Sequence, residues 1–160
     1  MSIDFLKKSL ENANVQAMLK TIRKCEGTDA PDGYNYLFGS SPHNDRRFDN
    51  FATHPNKSFP FGHDQFSTAA GAYQILYTTW KDSSIKLGLN DFSPASQDLI
   101  AVSLISQKNC LQKLIHGYFE EVISHISTIW ASLPNSPYGQ PTHGLPQVAG
   151  WYKENGGTEC

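Results

Sequence analysis

The residue of this sequence best suited to chemistry is Glu26, which stands at the end of an apolar helical stripe. Val15, Leu19, Ile22 and Glu26 follow one another at steps of four, three and four, so they share one face of a helix. Gly27 comes next, and glycine is the usual residue just past a helix end. A carboxyl group at the inner end of such a stripe is partly desolvated, which favours its neutral form. A neutral carboxylic acid can donate a proton to a leaving group, as cleavage of a glycosidic bond requires.

The elements that must position Glu26 follow from hydrophobic periodicity and turn residues. Apolar residues at helical spacing, with Ser93-Pro94 as a start signal, predict a series of helices. These helices cover residues 13–26, about 70–88, 93–107, 111–116, 119–130 and 148–154. Residues 27–66 are rich in Gly, Pro, Asn, Asp and aromatics, which favours loops with a small β-hairpin or sheet. We therefore expect a single α+β domain over residues 1–160, mostly helical, with a β-rich insertion at about 30–66.

This order of elements places Glu26 between a helical lobe and a smaller β-containing lobe. Ligand clefts prefer such boundaries. Tyr, Phe and Trp, which make up 12% of the chain, suit a cleft for an extended sugar chain, although aromatics more often form the core. The alternative for Glu26 is a structural role at a helix end, since structural carboxylates outnumber catalytic ones.

Composition excludes several other classes of protein. An apolar fraction of 39% over 160 residues supports a buried core and argues against disorder. A net charge of −2 gives no strong electrostatic footprint for nucleic acid. No segment approaches the length of a membrane span, and the N-terminus lacks the apolar run of a secretory signal. We therefore expect the protein to accumulate in the cytoplasm of the cell that makes it.

Neither the cysteines nor the histidines form a recognisable site. The cysteines are an odd number at wide spacing: Cys25, Cys110 and Cys160. We expect free thiols, and we expect Cys25 to be a packing residue, because consecutive helix positions point about 100° apart. The histidines of the loop-rich region are His43, His54 and His63. They form no His-Glu-x-x-His motif and no i, i+4 pair, so we expect no metal and no cofactor.

The presence of a second carboxylate would distinguish hydrolysis from a reaction without water. Hydrolytic glycosidases normally use this second carboxylate as a nucleophile or to activate water. The candidates are Asp29, Asp32, Asp45, Asp49 and Asp64. None has a signature of its own, and each is more simply explained as a turn or capping residue. A single acid without a clear partner favours a reaction that does not use water, and hydrolysis stays open as the alternative.

Four segments in a fixed order resemble one known family. They are Cys-Glu-Gly-Thr at 25–28, Ser-Thr-Ala-Ala-Gly-Ala-Tyr-Gln at 67–74, Leu-Gly-Leu-Asn-Asp-Phe-Ser-Pro-Ala-Ser-Gln-Asp at 87–98, and Ile-Trp-Ala-Ser-Leu-Pro at 129–134 with Tyr-Gly-Gln at 138–140. Together they resemble the lambda-type phage endolysins, which cleave peptidoglycan and belong to the lysozyme-like superfamily. The similarity extends from about residue 15 to 158.

The resemblance implies a lysozyme-like fold with a cleft between two lobes, and a lytic transglycosylase. Such an enzyme cuts the β-1,4 bond between N-acetylmuramic acid and N-acetylglucosamine and forms an anhydro sugar. By position, Glu26 would be its acid and base. A hydrolytic muramidase and a non-catalytic glycan-binding phage component remain as alternatives.

The resemblance also assigns substrate-binding roles. The residues concerned are Thr28, Phe51, His54, Ser67, Thr68, Gly71, Tyr73, Gln74, Tyr138 and Gln140. Tyr73 and Gln74 would lie at the cleft floor at the start of a helix, while small residues before them would let a sugar approach the backbone. Core packing remains the alternative for Tyr73, and a helix N-cap explains Ser67 or Thr68 equally well. Phe51 and His54 would line one lip of the cleft. The family usually has Arg where this chain has Ala72, so a cationic contact is missing.

The same resemblance predicts binding to peptidoglycan glycan strands. Charge and hydropathy predict no nucleic acid and no insertion into a membrane, and we expect a monomer because no coiled coil or obvious dimer face is present. A holin would release the protein from the host cytoplasm, so that it acts in the periplasm and cell wall during lysis.

Overall fold

A computed structural model describes residues 1–41, 43–139 and 142–160 of the chain. Its helices are α1 Ile3–Ser9, α2 Ala13–Glu26, α3 Tyr77–Leu87, α4 Pro94–Gln107, α5 Leu111–Ile115, α6 Phe119–Ile126 and α7 Leu145–Glu154. A 3₁₀ helix covers Gly33–Asn35, and the strands β1 Phe59–Pro60 and β2 Phe66–Ser67 pair antiparallel. The chain divides into two units, Met1–Glu26 with Ala101–Cys160, and Gly27–Ile100. The prediction of one domain over residues 1–160 stays a prediction.

The first unit is built on α2, whose apolar stripe is buried as its period predicts. Val15 and Ile22 are fully buried, and α2 contacts α5 and α7. Asn14 ties the helix to two distant segments: its Nδ2 donates to Ile115 O at 3.2 Å, and its Oδ1 accepts from the Thr158 N–H at 2.8 Å. These contacts fix the direction of α2 and therefore the position of its last residue, Glu26.

The second unit has an aromatic core beside its small sheet. Phe92 is fully buried and lies 4.7 Å from His54 and 6.0 Å from Phe48, measured between ring centroids. The β1–β2 pair aligns Phe59 with Ser67. Isolated bridges then join Leu37 to Ala70 and Ala70 to Ile75, so paired backbone continues beyond the two short strands.

Several predicted helices are confirmed and others need correction. The predictions of 13–26 and 93–107 match α2 and α4, and the Ser96 N–H donates to Ser93 Oγ at 3.3 Å as a helix N-cap requires. The helix predicted from residue 70 begins only at Tyr77. Its apolar spacing was misleading because Gly71 and Gln74 have φ of +79° and +47°, which ends any helix there.

Three further boundaries differ. The segment before residue 13, where no helix is predicted, contains α1. The helix predicted over 119–130 ends at Ile126, where Thr128 Oγ1 donates back to His125 O at 2.8 Å. Helix α7 begins at Leu145 rather than residue 148, with Pro146 in its first turn.

Candidate active site

Glu26 is the last residue of α2, and Gly27 follows with φ +71°. The helix ends here because glycine adopts this left-handed backbone without strain. The Glu26 side chain is half-buried, and its Oε1 accepts a hydrogen bond from Ser132 Oγ at 2.5 Å. An acid is thus held at a helix end by a hydroxyl group 106 residues further along the chain.

Burial sets the electrostatics of this acid. Desolvation raises the pKa of Glu26 to about 7, and the hydrogen bond from Ser132 acts in the opposite direction by favouring the carboxylate. A carboxyl group with a pKa near neutrality can give up a proton and take one back within one catalytic cycle. This combination is what general acid and base chemistry at one residue requires.

Cys25 is confirmed as a packing residue. It is buried at 6% exposure, and desolvation followed by the charge of Glu26 raises the pKa of its thiol to about 12. A thiol that stays protonated near neutral pH is not a nucleophile.

Ser132 is a site residue for which the sequence analysis gave no role. It lies between buried Trp130 and Leu133, and its carbonyl accepts from the His143 N–H at 3.5 Å. The available signal was its place in the Ile-Trp-Ala-Ser-Leu-Pro segment, but a loop serine has no periodicity that points to Glu26.

In the second unit, the Ala72 peptide is held from both sides. Its N–H donates to Gln97 Oε1 at 2.9 Å, and its carbonyl accepts from Thr28 Oγ1 at 2.5 Å. The Gln97 amide is fully buried and also donates to Phe92 O at 2.9 Å and to Tyr34 O at 3.1 Å. Thr28 and Gln97 therefore form a clamp on the turn that carries Tyr73 and Gln74.

Gly71 is required by this clamp rather than by an approaching sugar. Its backbone has φ +79°, and a Cβ atom built on it would stand 2.2 Å from Gln97 Oε1. Both the backbone conformation and the space therefore demand glycine. The residue is buried, so the explanation from the sequence, an open backbone for substrate, is not the physical reason for it.

Tyr73 belongs to the interior. It is 1% exposed, and its hydroxyl donates to Asp98 Oδ1 at 2.6 Å. Tyr34 donates to the same oxygen at 2.8 Å. Burial, followed by the charge of Asp98, raises the pKa of Tyr73 well above its ordinary value. This arrangement gives Tyr73 a structural role in place of the expected direct contact with substrate, and Asp98 is an anchor that the sequence analysis missed.

Gln74 keeps a half-buried side chain on the same turn. It adopts φ +47°, which is rare for a residue with a Cβ atom, and its Nε2 donates to Gly71 O at 3.0 Å. A strained backbone of this kind persists only where its surroundings over-determine it, and such positions cluster at functional sites.

The two hydroxyl residues before the turn act on the backbone. Thr68 Oγ1 accepts from the Tyr77 N–H at 3.1 Å at the start of α3. Ser67 is buried, and its Oγ accepts from the Ala69 N–H at 3.2 Å. Neither residue is the N-cap of α3, which is Leu76, but Thr68 supports the start of that helix from nine residues earlier in the chain.

His54 is a core residue, which corrects its expected place on a cleft lip. It is 2% exposed, its Nε2–H donates to Ile75 O at 2.8 Å, and its Nδ1 accepts from the Asn56 N–H at 3.0 Å. Burial lowers the pKa of this ring, so the neutral form persists. Phe51 is half-buried and packs edge-on against Phe48 at 5.4 Å.

The remaining predicted contact residues lie on a loop of the first unit. Tyr138 is 57% exposed, and its hydroxyl donates to Thr128 O at 2.8 Å, which leaves the ring face at the surface. Gln140 lies outside the residues that the structure describes.

The aspartates proposed as a second carboxylate have surface positions. Asp32 and Asp45 both form ion pairs with Arg47, the former at 2.7 Å. The other three, Asp29, Asp49 and Asp64, are exposed. Within the described ranges, no three His, Cys, Asp or Glu side chains are grouped so that they could hold a metal ion. No helix in the same ranges is long and apolar enough to cross a membrane.

The fold and the acid at the end of α2 define a lysozyme-like enzyme. The solved structure of bacteriophage lambda lysozyme complexed with a chitohexasaccharide matches with a TM-score of 0.86 and 34% identity, covering 93% of this chain and 97% of that one. The family model for endolysins matches residues 16–159. The chain belongs to the endolysin family, the phage enzymes that degrade the bacterial cell wall.

Two curated relatives support this membership. The endolysin of Escherichia phage lambda is 35% identical over 153 residues, which cover 92% of this chain and 94% of that protein. The endolysin of Escherichia phage P2 is 33% identical over 157 residues, covering 90% and 93% respectively. The predicted family and the predicted α+β, lysozyme-like fold class are therefore confirmed, while the roles of individual residues stay predictions.

Proposed function

We propose that this endolysin cleaves the β-1,4 bond between N-acetylmuramic acid and N-acetylglucosamine by transglycosylation, with Glu26 as both acid and base. The observation that carries the proposal is the half-buried Glu26 side chain, since desolvation raises the pKa of its carboxyl group to about 7. At that value neither protonation state is costly to reach near neutral pH.

The reaction needs one proton to move twice. Neutral Glu26 donates its proton to the glycosidic oxygen as the bond to the anomeric carbon breaks. The resulting carboxylate then accepts the proton of the muramic acid 6-hydroxyl while that oxygen bonds to the anomeric carbon. The products are a free N-acetylglucosamine 4-hydroxyl and a 1,6-anhydro-muramic acid end. Glu26 is neutral again, and no water is consumed.

Two observations support glycan as substrate and transglycosylation as reaction. The lambda lysozyme that matches this fold is complexed with a chitohexasaccharide, a chain of linked amino sugars. Of the aspartates that could assist hydrolysis, Asp32 and Asp45 already neutralise Arg47. In transglycosylation Glu26 itself removes the proton of the muramic acid 6-hydroxyl, so no second carboxylate is needed. Hydrolysis normally needs one.

The proposed substrate contacts are the predicted residues whose side chains reach the surface. Tyr138 would present its exposed ring to a sugar face, while half-buried Gln74 would offer an amide to an acetamido group. The buried Thr28 and Tyr73 of the second unit would support the turn that carries Gln74. In the cell, the protein would act as a monomer on the periplasmic wall after a holin releases it from the cytoplasm.

Mass spectrometry of fragments from purified peptidoglycan, digested in ¹⁸O-labelled water, tests this proposal. We expect fragments one water lighter than hydrolytic products and free of ¹⁸O at the new end. Glu26→Gln should abolish their release. Glu154→Gln is the matched control, because Glu154 is an exposed acid of α7 that pairs with Lys24 at 3.4 Å. Labelled reducing ends would show a hydrolase, and full activity of Glu26→Gln would refute the role of Glu26.

A further inference from the structure

Ser132 contacts Glu26 from a well-fixed segment of the first unit. Its neighbours Trp130 and Leu133 are 4% and 0% exposed, and its carbonyl accepts from the His143 N–H. Because these contacts already order the segment that carries Ser132, holding the Glu26 carboxyl group costs the Ser132 side chain little further conformational entropy. Its Oγ is 2.5 Å from Glu26 Oε1, which is at the short end for a hydroxyl bound to a carboxyl group.

Among the residues that the structure describes, Ser132 is the side chain found donating a hydrogen bond to this carboxyl group. Titratable and charged groups also lie on the adjoining parts of this unit, and they include Arg23, Lys24 and Cys25 on α2, Tyr152, Lys153 and Glu154 on α7, Lys113 on α5 and His143 in the loop before α7. Lys24 is engaged with Glu154 at 3.4 Å and lies over the Trp151 ring at 5.5 Å. Cys25 has a neutral thiol. Burial and the Ser132 hydroxyl are the influences that shift the pKa of Glu26.

We propose that Ser132 is the positioning residue of the catalytic acid: its hydroxyl holds Glu26 Oε1 and leaves Oε2 as the oxygen that carries the transferred proton. The inference rests on the proposed catalytic role of Glu26. It adds to that role the choice of the reacting oxygen and the orientation of the carboxyl plane.

The choice of oxygen follows from proton inventory. A serine hydroxyl has one proton, and here it donates that proton to Oε1. Oε1 already accepts the Ser132 proton, and a carbonyl oxygen is a better acceptor than a protonated hydroxyl oxygen. In the neutral acid Oε1 is therefore the carbonyl oxygen, and the acid proton is on Oε2. Proton transfer to the glycosidic oxygen therefore leaves from Oε2, and Ser132 keeps the carboxyl plane from rotating.

Removal of the Ser132 hydroxyl should shift the pKa of Glu26 in a definite direction. The hydrogen bond stabilises the carboxylate more than the neutral acid, so it holds the pKa below the value that burial alone would give. Ser132→Ala should raise the pKa of Glu26, and the enzyme should keep its acid form to higher pH. The alkaline limb of kcat/KM, which reports the free enzyme, should move up by about one pH unit. The plateau of kcat should fall roughly tenfold because the carboxyl group is no longer oriented.

The experiment compares pH–rate profiles on purified peptidoglycan for the wild type and three variants. Ser132→Thr keeps a hydroxyl and should restore both the limb and the plateau. Ser136→Ala is the matched control: Ser136 belongs to the same loop, and among the described residues its buried Oγ has no hydrogen-bond partner. Its profile should coincide with that of the wild type.

The outcomes separate this inference from the proposed function. An unchanged alkaline limb in Ser132→Ala, or an equal shift in Ser132→Thr, would overturn the positioning role while Glu26→Gln still tests catalysis. If Glu26→Gln were fully active, the proposed function itself would fail, whatever the Ser132 profiles showed. Circular dichroism at each pH would establish that the folded protein is being compared.

Discussion

Thr28→Val removes one side of the clamp on the Ala72 peptide and changes almost no volume. The hydroxyl of Thr28 donates to Ala72 O at 2.5 Å, and both residues are buried, at 2% and 0% exposure. Valine replaces the hydroxyl with a methyl group, so the packing is kept and the hydrogen bond is lost. The experiment therefore isolates one polar contact from the effects of a cavity.

The size of the effect can be worked out from this geometry. A buried acceptor that loses its donor costs about 1–3 kcal/mol. Burial of the new methyl group returns up to roughly 0.8 kcal/mol. We expect Thr28→Val to lower the free energy of unfolding by about 1–2 kcal/mol. Because the clamp also holds the turn that carries Gln74, kcat/KM should fall several-fold under conditions where the variant is fully folded.

Thr21→Val is the matched control. Thr21 is also fully buried, and its Oγ1 donates to Ala17 O at 2.8 Å, four residues earlier in α2. That carbonyl also lies where the helix supplies it with a backbone N–H, so loss of the hydroxyl leaves no unsatisfied acceptor. We expect a change in unfolding free energy below about 0.5 kcal/mol and no change in kcat/KM.

Urea unfolding, followed by tryptophan fluorescence, would measure the free energy of unfolding. Turbidity assays on peptidoglycan would measure kcat/KM. The m-value must be the same in all three proteins for the free energies to be compared. If Thr28→Val and Thr21→Val were alike in both stability and activity, the reasoning about the clamp would be wrong. If only stability differed, Thr28 would support the fold without supporting the site.

Two further predictions concern Gly71 and the buried acid. Gly71→Ala should lower the unfolding free energy by at least about 2 kcal/mol, because a Cβ atom would stand 2.2 Å from Gln97 Oε1 at φ +79°; a loss below about 0.5 kcal/mol in urea unfolding would contradict this. Glu26 has a pKa near 7 in the folded chain against an ordinary 4.5, so it binds a proton there that the unfolded chain has released, and its burial costs stability as pH rises from about 4.5 to 7. Glu26→Gln should thus stabilise the protein by up to about 3 kcal/mol at pH 8 and by little at pH 4, and equal effects at both pH values would count against the raised pKa.

Sequence reasoning located Glu26 because the signal was local. The stripe of Val15, Leu19 and Ile22 repeats within a single helix, and Gly27 marks its end, so α2 was predicted with the bounds that the structure shows. The same kind of signal found α4 through Ser93. The bounds of a helix can be predicted from the sequence when its apolar period and its capping residue are both local, because tertiary contacts then change them little.

The turn at residues 71–74 shows why other parts could not be predicted. Tyr73, Tyr77 and Trp80 follow one another at helical steps, yet the backbone closes a loop in which the Ala70 and Ile75 peptides bond to each other. What enforces the loop is the Gln97 amide, 25 residues away from Ala72. A glutamine in a helix has no periodicity that distinguishes a buried clamp from a solvated side chain.

Burial divides the residues of these motifs into two groups for which we expect different roles. Tyr73 and Thr28 lie in the segments that resemble the lambda-type endolysins, but both are almost completely buried and both bind protein atoms. A residue can belong to a motif because it contacts the ligand. It can equally belong to the motif because it fixes the backbone that positions a contacting residue. Within these segments, burial is therefore the property that separates the two roles: the half-buried Gln74 and the exposed Tyr138 are the residues whose substitution should raise KM, while changes at Thr28 should act through the turn that carries Gln74.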